Sequence, residues 1–210
     1  MSKQNIFKKK LLSWSIKHTR EYSWRNTEDP WEILLLEVIA QQTQLNRADK
    51  YYQKFIKKFP NPNEMSKASR KEILRMWSGL GYNSRAVRLH EASKILSNNS
   101  FDSIYPEFDI LPGVGEYTKD AILSFAYNDK VIAQDTNVLR IFSRFFGTKN
   151  PQKFILENQK NILKNIKSRK FNEVLMDFGS EVCTSKNPSC NKCIFDNECE
   201  KFIQVRPSPQ

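Results

Sequence analysis

Three groups of residues have types and spacings that could do chemistry: four cysteines, a turn built on two glycines, and two carboxylates in unlike surroundings. The cysteines run Cys183-x6-Cys190-x2-Cys193-x5-Cys199, all within 17 residues. Such a loop can hold zinc or a [4Fe–4S] cluster, both of which accept four thiolates. Four-cysteine zinc sites usually come as two close pairs. Here only the middle pair is CxxC, so the spacing leans towards the cluster. Zinc stays open, and disulfides are a third reading that a reducing cytoplasm argues against. Lys186, Lys192 and Lys201 put positive charge around the loop, which suits a structural role beside a phosphate track.

Leu111-Pro-Gly-Val-Gly115 follows a short apolar segment, Ile104 to Ile110, expected to be helical, and opens another helix at Glu116 or Tyr117. Its glycines permit left-handed backbone and close approach. Amide N–H groups at the start of the next helix make an anion site. A helix–hairpin–helix of this kind holds a nucleic-acid backbone without reading sequence. An ordinary turn is the bland alternative, and the apolar pair Leu111 and Val114 set among Pro and Gly favours the specific one.

Glu37 sits in Trp31-Glu-Ile-Leu-Leu-Leu-Glu-Val-Ile-Ala40, which is apolar on nearly every face and so predicts a buried helix. Burial disfavours an ionised, unpaired carboxylate, and a Glu kept protonated is what a general acid needs. The alternatives are an exposed stripe or a partner such as Arg25. Asp135 lies where Val131-Ile-Ala-Gln-Asp-Thr-Asn-Val-Leu-Arg140 turns into a helix, whose positive end favours the charged form. Capping is its ordinary role, but Thr136 or Asn137 could cap instead and leave Asp135 free. One protonated and one ionised acid is the pairing that cleaves glycosidic bonds through oxocarbenium-like states.

The elements that must position these groups are helical throughout, with no convincing alternating strand. Helices are predicted at Phe7–His18, Trp31–Phe59 (one or two), Ser69–Trp77, Ser84–Leu96, Thr118–Tyr127, Asn137–Phe146, Pro151–Ile166 and Phe171–Val182. Turns fall at Pro60-Asn-Pro62, Gly79-Leu-Gly81 and Pro112-Gly-Val-Gly115, and the tail from Gln204 to Gln210 is expected to fray. The fold class is all-α.

With 210 residues and 39% apolar content, the chain can bury a substantial core. It has no apolar run long enough to span a bilayer and no secretory leader pattern, so a cytoplasmic location is expected. The net charge of +11 favours a polyanionic partner. Residues 1–20 carry six Lys or Arg and no acid; residues 149–170 carry seven against Glu157. These stretches would line a groove or simply be solvated helix faces.

Taken together, Glu37-Val-Ile-Ala-Gln-Gln-Thr-Gln44, Gly79-Leu-Gly-Tyr82, Leu111-Pro-Gly-Val-Gly115, Asp135-Thr-Asn137 and the four cysteines resemble the helix–hairpin–helix glycosylases with a Gly/Pro-Asp loop (HhH-GPD). The likeness runs from Trp24 to Cys199 and is nearest to the catalytic domain of the adenine-removing (MutY-type) branch. It implies a two-lobed helical fold: residues 29–131 as a six-helix barrel carrying the hairpin (about 104–127), and residues 1–28 with 132–210 as the lobe bearing a [4Fe–4S] loop at 183–199. It implies a site between the lobes that receives a flipped base. Glu37 would protonate adenine N7, Asp135 would stabilise the sugar cation, and Asn137 would assist it. Gln42 and Tyr82 would wedge into the duplex. Arg25 and the hairpin residues Leu111, Gly113, Val114 and Gly115 would contact DNA. Tyr117 stands where related lyases carry a Lys nucleophile, and Lys119, two residues on, cannot replace it. A monofunctional, monomeric glycosylase acting on mismatched duplex DNA at the nucleoid is therefore implied. The sequence departs from the adenine branch at Thr136, where Gly is usual, and at Asn83, where a second Tyr is common, and a C-terminal 8-oxoguanine reader is expected to be lacking. Its length, Tyr117 and Thr136 also resemble T:G mismatch glycosylases, so thymine or uracil removal stays open. A catalytically silent iron–sulfur DNA-binding protein and a zinc-ribbon module are the rivals from other classes.

Overall fold

The computed structural model describes residues 2–18 and 20–205. In chain order the helices are α1 (Lys3–Ser15), α2 (Pro30–Ala40), α3 (Leu45–Lys58), α4 (Pro62–Ser66), α5 (Arg70–Trp77), α6 (Ser84–Asn98), α7 (Glu116–Phe125), α8 (Thr136–Phe146), α9 (Pro151–Ile162), α10 (Ser168–Glu181) and α11 (Glu200–Val205). Three single 3-10 turns lie at Asp102–Ile104, Phe108–Ile110 and Cys190–Lys192. No strand occurs among the described residues, and no helix is long and apolar enough to cross a membrane. The chain divides into two compact units, residues 21–127 and residues 1–20 with 128–210.

Residues 21–127 are built around α2. Asp29 caps this helix by accepting from the amides of Trp31 (2.7 Å) and Glu32 (3.4 Å), and Pro30 supplies a preset first-turn φ. Every residue from Ile33 to Ile39 is buried, because α2 is apolar all round and packs against α3, α6 and α7 at once.

The other unit centres on α8, where Val138, Ile141, Phe142 and Phe145 form one buried stripe at helical spacing. Phe7 of α1 is fully buried, with ring centroids 4.8 Å from Phe145 and 5.2 Å from both Phe142 and Phe195. Phe195, two residues after Cys193, is thereby the apolar anchor that ties the cysteine loop to the core. Gly147 ends α8 in the left-handed region (φ 69°), the usual helix-terminating conformation.

Four local expectations are corrected, and one left open is resolved. Ile104–Ile110 is not a helix but parts of two 3-10 turns separated by Pro106, which lacks an amide proton and disfavours helical backbone before it. Of the one or two helices expected over Trp31–Phe59, two form, broken at Gln41–Gln44. Asn61 caps α4 through the Glu64 amide with Pro62 in its first turn, so the Pro-Asn-Pro stop also starts a helix. α1 begins at Lys3 rather than Phe7, because the Ser2 side chain accepts from the Asn5 amide. Gln204 and Val205 are helical rather than frayed, while residues 206–210 of that expected tail lie outside the described residues.

Candidate active site and cysteine loop

Glu37 stands in the last turn of α2, 8% exposed between buried Leu36 and Val38. Helix α2 then stops in a turn where Gln42 takes a left-handed φ of 53°, with its side chain exposed. The Gly79-Leu-Gly-Tyr82 segment makes a second such turn, with φ of 96° at Gly79, 73° at Gly81 and 47° at Tyr82. Glycine is required at 79 on two counts: the φ, and a Cβ that would fall 2.7 Å from the Tyr51 hydroxyl. That hydroxyl donates to the Ser78 carbonyl (2.6 Å), and Arg47 donates to the Gly79 carbonyl. Tyr82 is left 67% exposed.

The two turns meet at Arg85. Its Nη1 donates to the carbonyls of Val38, Ile39 and Gln41, and its Nη2 to those of Leu80 and Gly81, over 2.5 to 3.3 Å. The side chain is buried, which works against its charge and lowers its pKa, and the guanidinium lies over the rings of Trp77 (5.1 Å) and Tyr82 (5.8 Å).

The hairpin joins the same region, since Val38, Gln41, Arg85, Arg88, Pro112 and Gly113 line a small cavity of about 20 Å³. Gly113 has a φ of 87°, and a Cβ there would lie 3.1 Å from that of Arg88. Leu111 and Val114 turn inward, 1% and 8% exposed, and the Val114 amide donates to the Leu111 carbonyl (3.1 Å). What these two can offer a ligand is backbone, not side chain. Gly115 precedes α7 in extended conformation and provides no side-chain cap. Tyr117 is half-buried in the first turn of α7. Lys119 is ion-paired to Asp109 (2.6 Å) and Glu107 (3.4 Å), and the Asp109 bond holds its ammonium protonated. Arg25 is half-buried in the turn that precedes α2.

In the other unit, Asp135 is itself the cap of α8, correcting the expectation that Thr136 or Asn137 could relieve it. The threonine side chain is exposed, and the Asn137 amide group donates to the aspartate instead. Asp135 Oδ1 accepts from the Val138 amide at 2.7 Å, and Oδ2 accepts from Asn137 Nδ2 at 3.1 Å. Both oxygens accept hydrogen bonds at a helix N-terminus, an arrangement suited to a carboxylate. Asn137 Oδ1 accepts from Arg140 Nη2 (2.7 Å), and Arg140 also donates to the carbonyls of Gly179 (2.9 Å) and Cys183 (2.8 Å). Gly179 permits this contact, since a Cβ there would stand 2.7 Å from that of Asn137.

All four cysteines are free thiols lining one cavity of about 270 Å³, with Arg144, Lys186 and Lys201 also in its wall. Arg144 donates to Cys183 Sγ (3.5 Å) and to the carbonyls of Thr184 and Ser185, and its own carbonyl accepts from Cys199 Sγ (3.4 Å). Burial pushes the Cys193 thiol up to about 11 and raises that of Cys199 as well, with the neighbouring sulfurs adding to the rise. Among the described residues, no three His, Cys, Asp or Glu side chains are drawn together as a site for one metal ion.

The structure thus joins the end of Glu37's helix, the turns of Gln42 and Tyr82, and the hairpin within residues 21–127. It joins Asp135, Asn137 and the cysteine loop along α8 in the other unit. Sequence reasoning missed the arginines that do the joining. Arg85 follows Gly-Leu-Gly-Tyr82 by three residues, and Arg140 and Arg144 lie one helical turn apart; that spacing was the available signal.

A hairpin before α7, a capped aspartate before α8 and a four-cysteine loop define a base-excision class of DNA repair fold. Residues 35–165 match the family described as "HhH-GPD superfamily base excision DNA repair protein", and the chain belongs to it. It is 34% identical to an adenine DNA glycosylase of Buchnera aphidicola subsp. Baizongia pistaciae, over 94% of this chain and 59% of that one. It is 29% identical to a thymine/uracil-DNA glycosylase of Methanothermobacter thermautotrophicus, over 95% of both chains. The solved structure of a thermostable thymine-DNA glycosylase superposes with a TM-score of 0.88 at 28% identity, over 96% of this chain and 97% of that one. The chain spans about three-fifths of the length of the first bacterial adenine glycosylases it matches.

Proposed function

We propose that this chain is a monofunctional DNA N-glycosylase that removes adenine mispaired with guanine or 8-oxoguanine. The observation that carries the reading is the contrast between its two carboxylates: Glu37 buried in an apolar helix, Asp135 at a helix N-terminus accepting two hydrogen bonds. Glu37, as the acid, delivers its proton to N7 of the extruded adenine while the N-glycosidic electron pair leaves with the base. Asp135 stabilises the resulting sugar cation, and Asn137, itself held by Arg140, fixes the carboxylate's orientation. Water then adds to the anomeric carbon and returns its proton to the Glu37 carboxylate, leaving an abasic site and free adenine. Tyr117 has no amine to form a Schiff base, and Lys119 is held as an ion-paired ammonium, which supports hydrolysis without strand cleavage. Gln42 and the exposed Tyr82 enter the duplex, with Arg25 on the DNA side, while the amides around Gly113 and Gly115 hold a phosphate.

Cys183, Cys190, Cys193 and Cys199 hold a [4Fe–4S] cluster in this reading. The donor set fits: four thiols face one cavity large enough for a polynuclear cluster, and Arg144, Lys186 and Lys201 offset thiolate charge. Held by these four cysteines, such a cluster would cross-link the loop.

Removal of thymine or uracil opposite guanine is the second reading, favoured by the identity that extends over 95% of both this chain and the thymine/uracil glycosylase. A panel of duplexes bearing one A:G, A:8-oxoG, T:G or U:G pair, developed with alkali, separates the two. Abasic product at A:G and A:8-oxoG is expected, lost in Glu37→Gln; product at T:G alone would replace adenine by thymine as substrate. Strand breaks before alkali would defeat the monofunctional assignment.

A further inference from the structure

Gln42 and Tyr82 both hold left-handed backbone without being glycine, φ 53° and 47°, a conformation that surrounding structure must enforce. The carbonyl just before each one, Gln41 and Gly81, accepts from the same guanidinium. Three more carbonyls complete the set: Val38 and Ile39 at the end of Glu37's helix, and Leu80. Trp77 adds a second lock, its Nε1–H donating to the Gly81 carbonyl at 2.9 Å beneath the guanidinium. Arg85 is 8% exposed and, among the described residues, forms no ion pair with a carboxylate; of its nitrogens only Nε has no hydrogen-bond partner. A buried cation surrounded by carbonyls of two separate segments is costly to keep unless it fixes something. A lysine offers three donors from one point and cannot span the five acceptors, whereas the planar fork does.

We propose that Arg85 is a positioning residue that locks the Gln42 and Tyr82 turns into one rigid unit, so that both side chains engage a duplex together. This rests on the reading of Gln42 and Tyr82 as duplex-entering residues. Binding of one then prepares the other, because neither turn can relax without releasing the shared guanidinium.

The test needs no bond cleavage. A duplex with 2-aminopurine in the mismatched pair reports unstacking by fluorescence, and titration gives affinity. Gln42→Ala, Tyr82→Ala and the double variant are compared first in the otherwise native chain, then with Arg85→Lys, with circular dichroism confirming the fold. In the native background the two alanine effects should be coupled by about fivefold or more. Arg85→Lys should weaken the fluorescence rise and bring the two effects to simple multiplication. If Arg85→Lys does not fold, Trp77→Phe, which keeps the ring and removes the bond to Gly81, should weaken the coupling in its place. Independent effects in the native chain, or coupling unchanged by both substitutions, would overturn the lock alone. If neither alanine variant alters binding or fluorescence, the duplex-entering reading fails and takes the lock with it. Loss of glycosylase product with coupling intact would touch only the catalytic assignment.

Discussion

Replacing Asp135 separates its role as the α8 cap from the catalytic role proposed for it. In Asp135→Asn the amide oxygen can still accept from the Val138 amide, so the α8 cap survives, asparagine being as good a cap as aspartate. Its NH2, however, then faces Asn137 Nδ2, a donor against a donor where 3.1 Å now separates donor and acceptor. Losing one hydrogen bond to a charged group in this half-buried position costs about 1 to 2 kcal/mol, or roughly 2–8 °C in Tm for a chain of this size. Asp135→Ala forfeits the cap as well, adding about 1 kcal/mol. Activity should follow a different order. On the proposed mechanism both variants remove the negative charge that stabilises the sugar cation, so single-turnover cleavage should fall about 100- to 1000-fold in each. The assay is single-turnover base release from a mismatched duplex with enzyme in excess, run beside thermal melts. Equal catalytic losses with unequal melting points are expected. Asparagine retaining activity within about tenfold of the native enzyme, or activity falling in step with stability across the two variants, would refute the electrostatic role.

Gly179→Ala should lower Tm by several degrees, because its Cβ would fall 2.7 Å from that of Asn137; overpacking of this kind costs about 1 to 3 kcal/mol. An unchanged melt would mean that α8 and α10 can part without cost. Asp120, half-buried on α7, has its carboxyl raised to about 7, by burial first and by Glu116 second, against an opposing pull from Lys119. The folded state therefore binds this proton more tightly than the unfolded chain. Its contribution is fully present at low pH and is lost as pH rises from about 3.8 to about 7. Asp120→Asn should flatten that part of the stability profile and raise Tm at pH above it, checked by melts across the range. Cys190→Ser should abolish visible iron–sulfur absorbance and bound iron by elemental analysis, and lower Tm, since the loop is otherwise pinned by Phe195 and Arg144. A colourless native protein containing zinc would reassign the metal.

The longer helices, the apolar character of α2, the hairpin turn and the four-cysteine loop were legible in the chain itself, because each is a local pattern of periodicity, capping or spacing. So was the candidacy of Glu37 and Asp135, whose surroundings follow from their immediate neighbours. The short α4 and α11 were not anticipated. The break at Pro106 was missed, because the apolar run around it reads as a helix, although the proline was the available signal. Only tertiary structure decided that Leu111 and Val114 face inward and that Asp135 caps α8 itself. It alone revealed the guanidiniums of Arg85, Arg140 and Arg144 at the junctions between segments. The physical reason is reach. An arginine satisfies carbonyls some forty residues away in sequence, and nothing in its own neighbours records which backbone it will meet.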